Sequence, residues 1–250
     1  MKRGGYLVVD LETVPDGTLY TPPETRPGEE KPFPPIYAHQ PVAIGALWLA
    51  PDLSFKRIGI IGEQQDEAGQ LEAFSEFIER ESPTLVTWNG RGFDLPVLVL
   101  RSLRHGVSMG WYYRRSDVRY RYSDEGHLDL GDALSDRGAS RMTSLDNAAR
   151  LIGLPGKMGV DGSQVDGLYR AGRLVEIRHY CMTDVIQTGF VLLRYLLLTG
   201  RETREQVIPA IRGLLAALEE DGRFGELLTG VDRRRLLLGD SDPEPDPAKP

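Results

Sequence analysis

A mixed α/β fold, one sheet with helices on both faces, is what this 250-residue sequence predicts. Three observations carry the prediction. A continuous apolar run over residues 6–11 has the pattern of a strand buried on both faces. Two further β-patterned runs, 42–49 and 54–61, are separated by Pro51-Asp52 and form a hairpin. Beyond them helical periodicity dominates. This order places the first strand at the centre of a mixed sheet and the antiparallel hairpin strand toward one edge.

Each element has its own signal. Residues 20–41 contain seven prolines and read as a long surface loop. Over 66–80, Leu71, Phe74, Phe77 and Ile78 share one helical face. Residues 84–88 return to strand. Pro96 suits the first turn of a helix running to about Leu103, which sets Asp94 beside that helix's N-terminus. A short strand is expected at 128–130, and a helix at 144–152 capped by Thr143 or Ser144. Residues 174–198 read as one long helix and 206–238 as one or two more, with Ile208, Ile211, Leu214, Leu215 and Leu218 as a core stripe. The acidic, Pro-rich tail 239–250 is expected to be disordered.

At 40% hydrophobic the chain is large enough for one sizeable core. Its single cysteine, Cys181, excludes an internal disulfide and fits a reducing compartment. No signal-peptide pattern precedes the first strand, and the apolar stretch 190–198 is too short to span a bilayer, so the expectation is a soluble cytoplasmic protein with no membrane partner. Oligomeric state is not legible. The net charge of −7 argues against a general nucleic-acid binder, unless many of the acids serve a site of their own.

Such a site is visible. Asp10 and Glu12 stand one residue apart at the end of the first strand, so their side chains share a face. Asp94 closes Asn89-Gly90-Arg91-Gly92-Phe93-Asp94, and Asp184 closes Tyr180-Cys181-Met182-Thr183-Asp184. Four carboxylates at one point repel each other, and hard divalent ions with oxygen ligands remove that conflict. Two such ions, roughly 3.5–4 Å apart, clamp an in-line displacement at a phosphodiester. Read singly, Asp94 and Asp184 are ordinary solvated helix acids. Read as a set, the four indicate a metal-dependent nuclease.

The three motifs in order, with His127-Leu128-Asp129-Leu130 and Leu154-Pro155-Gly156-Lys157, resemble the DEDD superfamily of 3′–5′ exonucleases, and most closely predicted exonucleases similar to the proofreading domain of family B DNA polymerases. The resemblance covers about residues 6–198. It implies a ribonuclease H-like fold, with residues 1–200 as the exonuclease domain and 201–238 as a helical extension packed on it. It also implies two divalent metals, Mg²⁺ or Mn²⁺. Asp10 would bridge them, Glu12 and Asp184 would complete one, and Asp94 would support the other. A nucleic acid with a free 3′ end is the implied partner, single-stranded DNA favoured and RNA possible, with 5′-mononucleotides as products. The superfamily divides by a Tyr four residues, or a His five residues, before the last acid. Here both stand, as Tyr180 and His179. At about 100° per residue a spacing of four returns to nearly the same face, so Tyr180 shares a face with Asp184 and His179 looks elsewhere. Tyr180 would then orient the attacking water.

Further residues have substrate-facing readings beside plainer ones. Thr13 ends the first motif. Asn89 offers a hydrogen bond, and Gly90 and Gly92 either admit substrate backbone or simply make a turn. Phe93 contacts a terminal base or packs in the core. Arg114, Arg115, Arg119 and Arg121 interleave with aromatics, as suits single strands, or solubilise an exposed loop. Asp129 tunes the site or binds neighbouring backbone. Lys157, between Gly156 and Gly159, meets a phosphate or only water. Two other functions compete. Asp10-Leu11-Glu12-Thr13 is one residue from the opening motif of haloacid-dehalogenase-like phosphatases, with acids at Asp240 and Asp242 as its late partner. A non-catalytic ribonuclease H-like module that only binds nucleic acid is the other.

Overall fold

The structure, a computed structural model, describes residues 4–24, 26, 32–159 and 161–239. Strands β1 (Tyr6–Pro15), β2 (His39–Leu49) and β3 (Phe55–Ile60) precede helix α1 (Glu67–Glu81) and strand β4 (Thr84–Thr87). Helices α2 (Asp94–His105), α3 (Gly110–Arg114) and α4 (Ser116–Arg119) lead to strand β5 (His127–Asp129). Helices α5 (Leu130–Leu134), α6 (Leu145–Leu151), α7 (Val165–Arg170), α8 (Leu174–Leu198), α9 (Arg204–Asp221), α10 (Gly225–Thr229) and α11 (Arg233–Leu236) complete the chain. The sheet order is β3-β2-β1-β4-β5. β2 runs antiparallel to β1 and β3, whereas β1, β4 and β5 are mutually parallel. The mixed sheet with β1 at its centre is therefore as expected.

Side-chain alternation along β1 divides the core. Leu7, Val9 and Leu11 bury against α1 and α2 with Phe74, Ile78, Leu98 and Trp111. Val8 faces the other way, into a larger core built on α8 and α9. Each fully buried side chain of this size contributes roughly 1.5–3 kcal/mol. Ile208, Ile211, Leu214, Leu215 and Leu218 of α9 all lie in that second core. Helix α8 is apolar and long enough to cross a membrane by length and composition alone, but 78% of its most apolar stretch is buried within the protein. It docks closely on β2 because Gly45 lies beneath it. A Cβ at Gly45 would sit 2.7 Å from Cys181 Sγ, so only glycine permits that approach.

Several boundaries differ from expectation for physical reasons. β1 continues to Pro15, past the acids that interrupt its apolar pattern, since Leu11 and Val14 remain buried. β2 begins at His39, inside the Pro-rich stretch. Pro41 is tolerated there because it falls at the register shift beside Glu12 and Thr13, where the ladder is already broken. Residues 110–119 form two short helices rather than a loop, anchored by Trp111, which is 2% exposed and donates from Nε1 to Ser75 Oγ at 3.0 Å. The segment 206–238 divides into three helices, not one or two, and α5 and α7 have no counterpart in the sequence reading. The tail from Asp240 onward lies outside the described residues.

A buried ion network fixes the end of β1 to the helix that carries Asp94. Arg101, 1% exposed on α2, donates from Nη1 to Asp16 Oδ2 at 2.7 Å and from Nη2 to Glu67 Oε2 at 2.7 Å, while its Nε binds Glu67 Oε1. Asp16 also accepts from the amide and hydroxyl of Thr18. Although burial opposes ionisation, these donors hold the Asp16 carboxyl near a pKa of about 2. Its contribution is thus fully present above the ordinary aspartate range and lost only as pH falls through about 2. Replacement Arg101→Leu leaves Asp16 only Arg104, at 3.2 Å, and Glu67 only His105, at 3.1 Å, as ionic partners, and should destabilise by about 2–4 kcal/mol. Urea denaturation at neutral pH should show this as a lower midpoint with an unchanged slope, and Arg101→Lys, lacking the fork, should recover only a small part.

Candidate active site

The carboxylates converge midway along β1, just past the point where its pairing with β4 ends. Asp10 and Glu12 project from the same face of the strand, half-buried and buried respectively. Pairing of β1 with β4 ends at Val8–Val86, so β1 overhangs its neighbour. Asp94, the first residue of α2 and buried, occupies the overhang and accepts from the Leu11 amide. Pro96 sits in the first turn of that helix, where its missing N–H costs nothing. Asp184 is brought over from α8.

Electrostatics reports how tightly these groups are held. Burial, then Glu12, Asp184 and Asp94, push the Asp10 carboxyl well above its ordinary pKa. Burial, then Asp184 and Asp94, do the same to Glu12. Burial raises Asp94 to about 7, with Asp129 adding to it and the Leu11 amide opposing it. Asp184 rises to about 6 through burial, moderated by Tyr180 and by the charge of Lys157. Among the described residues the tightest potential ligand group is Asp10, Glu12 and Cys181, whose ligand atoms lie within 4.8 Å of one another. The Cys181 thiol faces the Asp10 carbonyl at 3.4 Å and Asp10 Oδ2 at 3.6 Å. Sequence reasoning used Cys181 only to exclude a disulfide. Its position three residues before Asp184 was the available signal that it shares the site-facing side of the helix.

Tyr180 lies beside Asp184 on α8, as the four-residue spacing requires. Burial and the nearby acids Asp184, Glu12 and Asp10 push its phenol pKa upward, so it stays protonated and acts as a donor. His179 points away and stacks on Phe224, with ring centroids 5.5 Å apart.

The turn before Asp94 is held from beneath. Asn89 has a left-handed backbone, φ 63°. Its amide and that of Arg91 donate to Asp129 Oδ1 and Oδ2 at 2.9 and 3.0 Å. Gly90 is required because a Cβ there would meet Thr87 Oγ1 at 2.4 Å. Gly90 therefore serves the turn, while Gly92 lines a cleft beside it. Asp129 also caps α5 through the Asp132 amide at 3.2 Å, so its oxygens are occupied by backbone. Arg91, given no role of its own by the sequence, spans to the carbonyls of Val118, Arg119, Tyr120 and His127 and ties the aromatic–arginine segment to β5.

The other sequence-selected residues take varied positions. The Thr13 hydroxyl bonds His39 Nδ1 at 2.8 Å. Phe93 is half-buried and forms an aromatic group with His39 and the exposed Phe33. Arg114 pairs with Glu79 at 2.5 Å and Arg115 with Asp117 at 3.4 Å. Arg119 and Arg121 instead line a cleft together with Asn89, Gly92 and Asp129. Lys157 is exposed, in a loop anchored by its own amide on Asp146 at 2.7 Å and by the Gly156 amide on Gln187 at 2.9 Å.

Among known proteins, a family model described as "Predicted 3'-5' exonuclease related to the exonuclease domain of PolB" matches residues 31–228. Among solved structures the chain is similar to the family B DNA polymerase from the hyperthermophilic archaeon Pyrobaculum calidifontis, with a TM-score of 0.55 and 17% identity. That match covers 90% of this chain and 29% of the polymerase chain, and it identifies the fold as ribonuclease H-like. No curated protein matches the chain.

Raised carboxyl pKa values make the metal-free protein less stable as pH rises. Between the ordinary aspartate pKa and about 7 the folded Asp94 binds more proton than the unfolded one, so stability falls across that window. At pH 8 in chelator, Asp94→Asn should therefore raise the melting temperature by several degrees, the relieved cost being a few kcal/mol at most. Near pH 5 the difference should shrink. Differential scanning calorimetry of the two proteins at both pH values checks the sign.

Proposed function

This chain belongs to the family of predicted 3′–5′ exonucleases related to the exonuclease domain of PolB, and from that premise we propose how it acts. It removes nucleotides from the 3′ end of single-stranded nucleic acid, DNA favoured, by a two-metal mechanism that releases 5′-mononucleotides. The observation that carries this reading is the convergence of Asp10, Glu12, Asp94 and Asp184, each raised in pKa by burial and, for the first two, by the other acids.

The donor set fits divalent cations. It is composed of hard carboxylate oxygens whose mutual repulsion no ion pair among the described residues relieves. Asp10, Glu12 and Asp184 would hold one ion, and Asp10 with Asp94 the second. When bound, such ions acidify water and neutralise charge on the phosphodiester. The protein's own groups do the rest. Tyr180, protonated throughout the working range, donates a hydrogen bond and orients the attacking water instead of removing its proton. The Lys157 charge, felt at Asp184, faces the same side and suits a phosphate oxygen. Asp129 holds the Asn89–Gly92 turn, and with it Asp94, at fixed depth.

The phosphatase alternative needs Asp240 and Asp242, which lie outside the described residues. A module that only binds nucleic acid has no use for four carboxylates gathered where burial raises the pKa of each. Asp10→Ala should abolish Mg²⁺- or Mn²⁺-dependent shortening of a 5′-labelled single strand, a loss of 10³-fold or more by the order of magnitude of such electrostatic stabilisation. Tyr180→Phe should retain activity reduced about 10–100-fold, since it removes one donor. Undiminished trimming by Asp10→Ala would refute the assignment.

A further inference from the structure

A cleft of about 440 Å³ opens beside the motif turn that precedes Asp94, on the side of α3 and α4. Its walls include Gly92 and Leu95, which flank Asp94 in sequence, and Tyr112, Arg119, Arg121 and Met142. The volume falls within the range of small-ligand sites, about 300–1,000 Å³.

The charges in this cleft can be followed group by group. Asp129 is occupied by the amides of Asn89, Arg91 and Asp132. Asp132 is paired with Arg121 at 2.6 Å and with Arg137 at 3.2 Å. The Arg91 guanidinium is committed to four carbonyls. Arg119 differs. It is exposed, donates to the Tyr113 carbonyl at 3.3 Å and lies over the Tyr113 ring at 5.4 Å. Among the described residues it has no carboxylate partner. The cleft therefore offers one uncompensated, pre-oriented guanidinium at its rim and apolar surface from Tyr112, Met142 and Leu95 within. One anionic group attached to one planar apolar group is the ligand that matches.

We infer that this cleft holds one nucleotide unit of the substrate strand upstream of the scissile bond, with its phosphodiester on Arg119 and its base against Tyr112 and Met142. The inference rests on the exonuclease reading above and extends it, by adding a second nucleotide position beside the motif turn that carries Asp94. Its rigidity comes from Arg91, which fixes residues 118–120 to β5 and so fixes Arg119. Arg119 is a binding and positioning residue, remote from the reacting atoms.

The test compares two substrates, the p-nitrophenyl ester of thymidine 5′-monophosphate, which presents a single nucleotide, and a single-stranded oligodeoxynucleotide. Arg119→Ala and Tyr112→Ala should each lower the ratio of kcat/KM values, oligonucleotide over ester, about tenfold. Arg119→Ala should also flatten the plot of log Kd against log salt for the oligonucleotide by about 0.7, one phosphate contact, and Arg119→Lys should recover part of both effects. An unchanged ratio and salt slope in Arg119→Ala overturns the inference. So does an equal fall on both substrates, the mark of a general structural defect. Displacement of the oligonucleotide by free thymidine 5′-monophosphate that depends on Arg119 assigns the cleft to a free nucleotide and overturns it as well. If the wild type hydrolyses neither substrate, the exonuclease reading fails, and the salt slope of oligonucleotide binding still decides the cleft.

Discussion

Like charge held together against its own repulsion is the constraint on which this molecule is organised. Asp10, Glu12, Asp94 and Asp184 come from the central strand, the start of α2 and the middle of α8. Burial raises every one of their pKa values, and for Asp10 and Glu12 the charge of the other acids adds to it. Nothing in the apolar cores requires that arrangement, and without a compensating cation it works against folding. Much of the surrounding structure is best understood as what holds the acids in place.

Three devices do the holding. Gly45 lets α8 settle onto β2 closely enough for the Cys181 thiol to reach Asp10. The Arg101 network locks α2 to the segment that leaves β1, so Asp94 and the first two acids move as one unit. Asp129 seizes two successive amide donors of the turn before Asp94 and supports it from β5. The first is close packing, the second a buried ion network, and the third a carboxylate acting as a cap. Each joins segments far apart in the chain, which makes the site a property of the whole fold and not of any one motif.

The sequence carried the site better than the scaffold around it. Asp10 with Glu12, and Tyr180 with Asp184, were legible as pairs because fixed spacing on a strand or helix dictates which side chains share a face, whereas Asp94 entered through the family resemblance. The central strand, the hairpin and α8 were legible because hydrophobic periodicity is strong in each. What stayed hidden was long-range. Arg101 and Asp16 are 85 residues apart and read as ordinary surface charges until the fold joins them. Arg91 looked like a loop residue, yet it organises the segment 118–120. The arginines of the aromatic stretch were indistinguishable by pattern. The fold separates Arg114, paired with Glu79, from Arg119, which lines the cleft. β1 ran past its apparent end because its acids mimic a strand terminus while its buried positions continue.

The central claim is that these four carboxylates form one cage for a pair of cations. Counting bound Mn²⁺ by electron paramagnetic resonance, with the spectrum recorded at saturation, tests it most directly. Two tightly bound ions per chain with the broadened signal of magnetically coupled neighbours are expected, and the coupling should vanish in Asp10→Asn. Isolated single-ion spectra in the wild type, or coupled binding that survives loss of Asp10, would contradict it.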